Sequence, residues 1–291
     1  MIVQSLACGG VDRLSDGEWR LHSRFTQAIN YSHADGALLT FIRYGKGVAP
    51  AGVLLSTSNF AKVYDAQRWT KRGKILLGND ASVLLRRPLN LTPQSGRMPV
   101  PDLRNYPEKT GLCGPLRQLD AGAIAFRLLL DGLTHWESGT PPSWAGLIGM
   151  GPGLTPGGDD MLTGALAVLH ASHFSTQLQA CPFLPSADQL MTLTTSVSCS
   201  YLNSARYGEF STPVLHLLRC LQAGRDPHRA IRRLVLMGHT SGADIVAGMV
   251  ITLRWLQIRK ERRGHARSGN SADIYSGCGD REFFAGGRFS P

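Results

Sequence analysis

Hydrophobic residues are spaced differently in the two halves of the chain. In the first hundred residues, short apolar runs bounded by Gly and Pro predict β-strands. These runs are GALLTFIRYG (36–45), AGVLLS (51–56), KILLG (74–78) and ASVLLRRP (81–88). Residues 19–31 are predicted to form a helix that interrupts the strands. The first part of the chain is therefore expected to be rich in β-structure.

From residue 116 onward, apolar residues recur at intervals of three and four, which is the pattern of an amphipathic helix. The first such helix is predicted over residues 116–133, and others over 159–172, 186–207, 213–223, 227–237 and 241–258. Residues 89–115 carry five prolines and three glycines and are read as an inter-domain connection. We predict an α+β fold with a β-rich N-terminal domain (1–105), an α-helical C-terminal domain (106–258) and a basic tail (259–291).

Composition narrows the class of protein further. With 43% hydrophobic and 18% charged residues the chain is globular. It has neither a long apolar run nor a signal-like start, so we expect a cytoplasmic protein without a membrane span. The net charge of +10 favours an anionic ligand or an acidic partner. Five Lys and Arg residues lie in RKERRGHAR (259–267), and we interpret this segment as a solvated tail. Nucleic acid is the least favoured partner.

Two turns resemble each other. GLTPGGDD and GHTSGAD share the pattern T-x-G-x-D, in which Thr155 and Asp159 correspond to Thr240 and Asp244. Each turn leads into an apolar helix. A hydroxyl residue and an acid at a helix start are typical of capping. Glycine-rich helix starts also allow a ligand to approach backbone N–H groups closely, so a binding site is the alternative. The residue types at the two turns are compatible with both helix capping and ligand binding.

The chemistry beside these turns supplies further candidates. Asp159 and Asp160 are adjacent carboxylates, which need a donor or a cation nearby. His239 precedes a hydroxyl pair at a helix start and is placed for proton transfer near neutral pH. Residues 194–203 carry many hydroxyl groups, which form a polar stripe or bond to carbonyls one turn back.

Three segments together carry a family resemblance. GPGLTPGGDD, TTSVSCSYL followed by YGEF, and MGHTSGAD, in this order, resemble the AllH family, which is associated with the third subunit of oxamate carbamoyltransferase. A weaker likeness covers GALLTFIRYGKGVAPAG and EKTGLCGPL. The family usually has Ser where this chain has Gly157, and the tail has no counterpart in it.

The resemblance implies a reaction and partners. Oxalurate and phosphate would be converted to oxamate and carbamoyl phosphate in anaerobic allantoin breakdown. The partners would be an AllG-type subunit and an FdrA-type subunit. A β-rich first domain and a helical second domain also fit the family.

From these motifs we nominate site residues by inference. The catalytic candidates are Asp159, Asp160, His239 and Asp244. The substrate-binding candidates are Gly151, Gly153, Thr155, Gly157, Gly158, Thr240, Ser241, Gly242, Arg206, Arg43 and Lys46. Glycine N–H groups would bind the oxyanion, and the basic side chains would bind phosphate or the oxalurate carboxylate.

Two rival hypotheses remain beside the transferase. In the first hypothesis, the chain is a non-catalytic scaffold and the chemistry takes place on a partner subunit. In the second it is a Mg²⁺-dependent hydrolase of a small amide, in which Asp159, Asp160 and Asp244 hold the metal. No cofactor is required by the motifs themselves.

Overall fold

The computed structural model describes the backbone of residues 1–269 and the side chains of residues 1–262. Within that part of the chain, ten strands form one sheet and nine α-helices lie mostly C-terminal to it, so the α+β fold class is confirmed. The strands are β1 (Ile2–Gln4), β2 (Ala7–Gly9), β3 (Gly17–Arg24), β4 (Ala28–Ser32), β5 (Leu38–Arg43), β6 (Gly52–Leu55), β7 (Arg68–Arg72), β8 (Ile75–Leu77), β9 (Ser82–Leu84) and β10 (Pro88–Leu89). The four apolar runs predicted as strands contain β5, β6, β8 and β9.

The sheet has the order β1-β9-β8-β7-β3-β4-β5-β6-β2-β10. Most neighbours are antiparallel, while β1 with β9, β5 with β6 and β2 with β10 are parallel. Aromatic side chains fill its core: the Phe41 ring centroid lies 5.3 Å from that of Tyr31 and 5.4 Å from that of Trp69. Helix α1 (Thr57–Val63) adds Phe60 and Val63 to this core.

The helix predicted over residues 19–31 is wrong. Those residues form β3 and β4, paired as an antiparallel hairpin with Leu21 opposite Tyr31. Trp19, Ile29 and Tyr31 are fully buried against the sheet core. These β-branched and aromatic residues favour a half-buried strand, and their burial against the sheet core stabilises the extended backbone.

The helices are α2 (Ile124–Glu137), α3 (Gly157–His170), α4 (Ser175–Ala180), α5 (Ala187–Leu193), α6 (Ser196–Arg206), α7 (Thr212–Gln222), α8 (His228–Val235) and α9 (Ser241–Gly269). Two predictions need correction. The helix expected from residue 116 begins only at Ile124, after a short 3-10 turn. The helix expected over 186–207 is divided, because Thr194 is extended and Thr195 caps α6 through its side chain.

Helix α3 is the central element of the helical part. All its residues from Gly157 to Leu169 are buried, which is typical of a helix enclosed on every side. Asp159 and Asp160 are therefore buried because their helix is central to the fold.

Helices α3 and α9 approach each other closely at two glycine residues, Gly164 and Gly248. A Cβ added to Gly164 would lie 2.1 Å from the Ile245 carbonyl oxygen, and one added to Gly248 would lie 2.0 Å from the Met161 carbonyl oxygen. Side chains at these positions would separate the helices. The two glycines thus allow backbone contact, and this contact aligns the N-terminal ends of both helices.

The segment read as a connection is irregular but packed, since Leu91, Leu103, Tyr106 and Cys113 are buried. Residues Met1–Trp255 form one compact unit, and the described residues after Trp255 lie outside it. The proposed domain limits at residues 105 and 258 stay a prediction. The first part of the predicted tail continues α9 to Gly269, and residues 270–291 lie outside the described residues. Among the helices that the structure describes, none is both long and apolar enough to cross a membrane.

The glycine contact gives a first prediction. Gly164→Ala should lower the free energy of unfolding by about 2–3 kcal/mol, because the methyl group overpacks a backbone contact. Urea unfolding of the full chain measures this change. Gly122→Ala is the control, since its added Cβ would meet only the flexible Asp120 side chain at 3.1 Å. Equal shifts in the two variants would contradict the close-approach argument.

Candidate functional site

Asp159 joins two segments to the start of α3. Its Oδ1 accepts the Gly149 amide at 2.9 Å, and its Oδ2 accepts the Thr194 hydroxyl. Gly149 belongs to the glycine loop before α3, and Thr194 lies between α5 and α6. Only 2% of Asp159 is exposed. Both carboxylate oxygens therefore have donors, and the side chain holds the loop and the α5–α6 link in place.

Asp244 joins a third segment to the start of α9. Its Oδ1 accepts the Gly111 amide at 2.9 Å, while its Oδ2 has no hydrogen-bond partner. The unpartnered oxygen lies between two glycines: a Cβ added to either Gly111 or Gly157 would be 3.1 Å from it. Burial raises the pKa of Asp244 to about 6, against the hydrogen bonds from Gly111 and Thr240.

Asp160 lies near a pair of hydroxyl groups. The Thr155 Oγ1 and the Ser241 Oγ are 2.7 Å apart, so a hydrogen bond links the two helix starts directly. Burial raises the pKa of Asp160 well above its ordinary value, and the charges of Asp244 and Asp159 add to this rise. Hydrogen bonds from Ser241 and Thr155 oppose it. Burial therefore favours the uncharged form of Asp160 more than it would be favoured in an exposed carboxyl group.

The two T-x-G-x-D turns meet in the folded chain. Thr155 bonds to Ser241, and Gly157 lies against the Asp244 carboxylate. Asp159 and Asp244 both accept hydrogen bonds from outside their own turns: Asp159 from the Thr194 hydroxyl, and Asp244 from the Gly111 amide. The structure thus gathers Asp159, Asp160 and Asp244 into one buried cluster at the N-terminal ends of α3 and α9, hereafter the acidic cluster.

The nominated glycines have different surroundings. Gly151 and Gly153 are exposed and have positive φ angles of 110° and 95°, so the loop needs glycine there. Gly158 and Gly242 are buried, and a Cβ on either would lie 1.9 Å from a carbonyl oxygen. These two are required by packing. The amides of the exposed pair are the ones that a ligand can approach.

The basic candidates are more dispersed. Arg206 donates to the carbonyl oxygens of Leu184 and Pro185, and burial lowers its pKa. Its guanidinium thus fixes the chain between α4 and α5. Arg43 is half-buried at the end of β5, and Lys46 is exposed in the following loop. No contact among the described residues joins these two to the acidic cluster.

His239 is exposed in the turn just before α9. Thr240 follows it, and the Thr240 carbonyl oxygen accepts the Asp244 amide at 2.8 Å. The histidine therefore lies beside the acidic cluster in sequence and remains open to solvent.

Sequence reasoning missed Gly111, which it placed in a connecting segment. The EKTGLCGPL likeness was the signal that could have found it. Tyr201 was noted only as one hydroxyl among several. Burial raises its pKa to about 12, and the Asp160 charge contributes, so α6 also faces the acidic cluster.

The Mg²⁺ hypothesis is not supported by the arrangement of donors. Within the residues that the structure describes, no group of three or more His, Cys, Asp or Glu side chains is placed to hold a metal ion. One Asp159 oxygen accepts a backbone amide and the other a hydroxyl, so this side chain is already occupied. No step is therefore assigned to a metal.

The fold and the acidic cluster define a mixed α+β protein in which two packed helix starts share buried carboxyl groups. Residues 147–253 match the sequence model of the family described as oxamate carbamoyltransferase subunit AllH, which confirms the resemblance over this stretch. The matched stretch covers 107 of the 291 residues and includes the starts of both α3 and α9. No solved structure gives a significant match to the chain.

The pKa of Asp244 predicts a pH dependence of stability. Its value of about 6 lies above the ordinary 3.8, so the folded state binds this proton more tightly than the unfolded chain does. Stability should therefore fall as the pH rises from about 4 to 6. A difference of about two pKa units between the folded and the unfolded chain corresponds to a change of at most about 3 kcal/mol in the free energy of unfolding.

Asp244→Asn should flatten this part of the pH profile, because the amide does not titrate. Urea unfolding at a series of pH values measures the slope. Asp131→Asn is the matched control, since Asp131 is exposed on α2. If the Asp244 variant kept the slope of the unmodified protein, the buried carboxyl would not be the source of the dependence.

Proposed function

We propose that this chain is a subunit of oxamate carbamoyltransferase that acts with AllG-type and FdrA-type subunits on oxalurate and phosphate. The products are oxamate and carbamoyl phosphate, in cytoplasmic allantoin breakdown. The observation that carries the proposal is the family match over residues 147–253, which includes both helix starts and all three carboxyl groups of the acidic cluster.

The reaction sets the demands on the site. A phosphate oxygen attacks the carbamoyl carbon of oxalurate, and a tetrahedral intermediate with an oxyanion forms. The bond from that carbon to the oxamate nitrogen then breaks, and the nitrogen takes up a proton. The site must therefore supply hydrogen-bond donors for the oxyanion, a proton donor, and surroundings that do not repel phosphate.

Exposed backbone and hydroxyl groups meet the first demand. The amides of Gly151 and Gly153 are accessible in the loop before α3, and the Thr155–Ser241 hydroxyl pair lies at the junction of the helices. The N-terminal ends of α3 and α9 favour negative charge. The raised pKa of Asp160 favours its uncharged form, which reduces its repulsion of an anion.

His239 is assigned the proton transfer to the departing oxamate nitrogen, since it is exposed beside Ser241. Asp159 and Asp244 act as positioning residues, because their carboxylates hold Gly149 and Gly111. Arg43 and Lys46 remain candidates for the phosphate or the substrate carboxylate.

A specific observation also favours the scaffold hypothesis. Asp159 and Asp244 are 2% and 0% exposed, and each accepts a backbone amide from another segment. Carboxylates in this state organise loops. In that case the chain shapes the complex, and the chemistry lies on a partner subunit.

Phosphorolysis of oxalurate by the reconstituted three-subunit complex tests the proposal. His239→Ala should lower turnover by about 10²-fold, which is typical of a lost general acid. His173→Ala is the control, because His173 is also exposed and lies within the matched region. Assembly should be unchanged in both variants by size-exclusion chromatography.

If His239→Ala left turnover unchanged, the catalytic role of this chain would be wrong. Should omission of the chain then also prevent assembly, the scaffold function would replace it. If the complex assembled and turned over oxalurate without this chain, both functions would be rejected.

A further inference from the structure

A cavity of about 500 Å³ lies beside α6. One wall is formed by α5 and α6, and the other by the turns around Gly10 and Gly36 in the N-terminal part. Its volume is within the range of small-molecule sites. Neither the family match nor the site described above accounts for it, because the second wall lies outside residues 147–253.

The charge of the cavity is opposite to that of the chain. Asp35, Asp188 and Glu209 line it together with one guanidinium, that of Arg13, which gives a formal charge of −2 in a chain of +10. Arg13 is paired with Glu209. Asp35 accepts hydrogen bonds from the Ser15 hydroxyl at 2.6 Å and the Ala37 amide at 2.9 Å, and its Oδ1 lies 2.9 Å from the His33 Nδ1. Its pKa is lowered despite the opposing effect of burial.

Asp188 is different from these two acids. It is exposed on the first turn of α5, and no side-chain hydrogen bond or ion pair engages its carboxylate among the described residues. The cavity therefore retains one ionised group that is free to pair with a ligand.

The rim of the cavity is apolar and aromatic. Met191 is 56% exposed and Tyr207 is 75% exposed, although both are large side chains. An aromatic ring face attracts an organic cation, and a Met side chain packs readily against a carbon chain. A carboxylate beside such a rim suits a ligand with a positive head and an apolar stem.

We propose that this cavity binds a small organic cation of the amine or guanidinium class with a short carbon chain. The cationic head pairs with Asp188, and the stem packs between Met191 and Tyr207. Phosphate and carboxylate compounds are disfavoured by the net negative lining, so this site is separate from the proposed carbamoyl transfer.

Isothermal titration calorimetry of the full chain with agmatine tests the proposal, because agmatine carries both an amine and a guanidinium on a four-carbon chain. We expect saturable one-to-one binding at pH 7.5, weakened by added salt. Glutarate, a dicarboxylate of similar length, should give no binding. Absence of agmatine binding at millimolar concentration would overturn the proposal, as would tighter binding of glutarate.

Single substitutions in the cavity test which side chains contact agmatine. Asp188→Asn should weaken agmatine binding by about 3- to 10-fold, since one exposed charge pair is lost. Tyr207→Ala should weaken it by a similar factor through the lost ring contact. Asp131→Asn is the matched control and should bind as the unmodified chain does. Circular dichroism spectra should show that all variants are folded.

Unchanged affinity in both cavity variants would mean that agmatine binds elsewhere, and the assignment of this cavity would be wrong. Carbamoyl transfer by the complex is measured separately with Asp188→Asn and should be unaffected. Failure of the cation site therefore leaves the proposed function standing, and the reverse also holds.

Discussion

The backbone contact between α3 and α9 is the constraint on which the helical part depends. Gly164 and Gly248 each lie where a Cβ would fall about 2 Å from a carbonyl oxygen of the other helix. Helices packed this closely bring their N-terminal ends to one place. The Thr155–Ser241 hydrogen bond and the approach of Gly157 to Asp244 are consequences of that packing. Without it, the two similar turns would be separate helix caps.

Close packing also creates an electrostatic cost. Three carboxyl groups are removed from water at this junction, and burial disfavours their charged forms. The chain meets the cost differently at each residue. Asp159 obtains two donors and Asp244 obtains a backbone amide, while the pKa of Asp160 is raised. The result is a junction at the starts of α3 and α9 that holds the segments of Gly149, Thr194 and Gly111 in place.

Helix α6 connects the two sites discussed above. Tyr201 lies within the field of Asp160, while Ser200 and Tyr207 line the cavity beside the N-terminal turns. The family match includes this helix but stops short of the opposite cavity wall. Residues of α6 thus contribute both to the surroundings of the acidic cluster and to the cavity wall.

The sequence by itself determined the α+β class, several strands and the family resemblance, because these follow from local spacing and short motifs. It also located both helix starts. Only the tertiary structure decided that residues 19–31 are a hairpin, since the burial of Trp19 and Tyr31 depends on distant strands. The role of Gly111 likewise required the fold, because its partner Asp244 is 133 residues away. The raised pKa of Asp160 also required the fold, because burial and the charge of the distant Asp244 contribute to it. Local patterns encode local structure, whereas desolvation and long-range contacts arise only when the chain is packed.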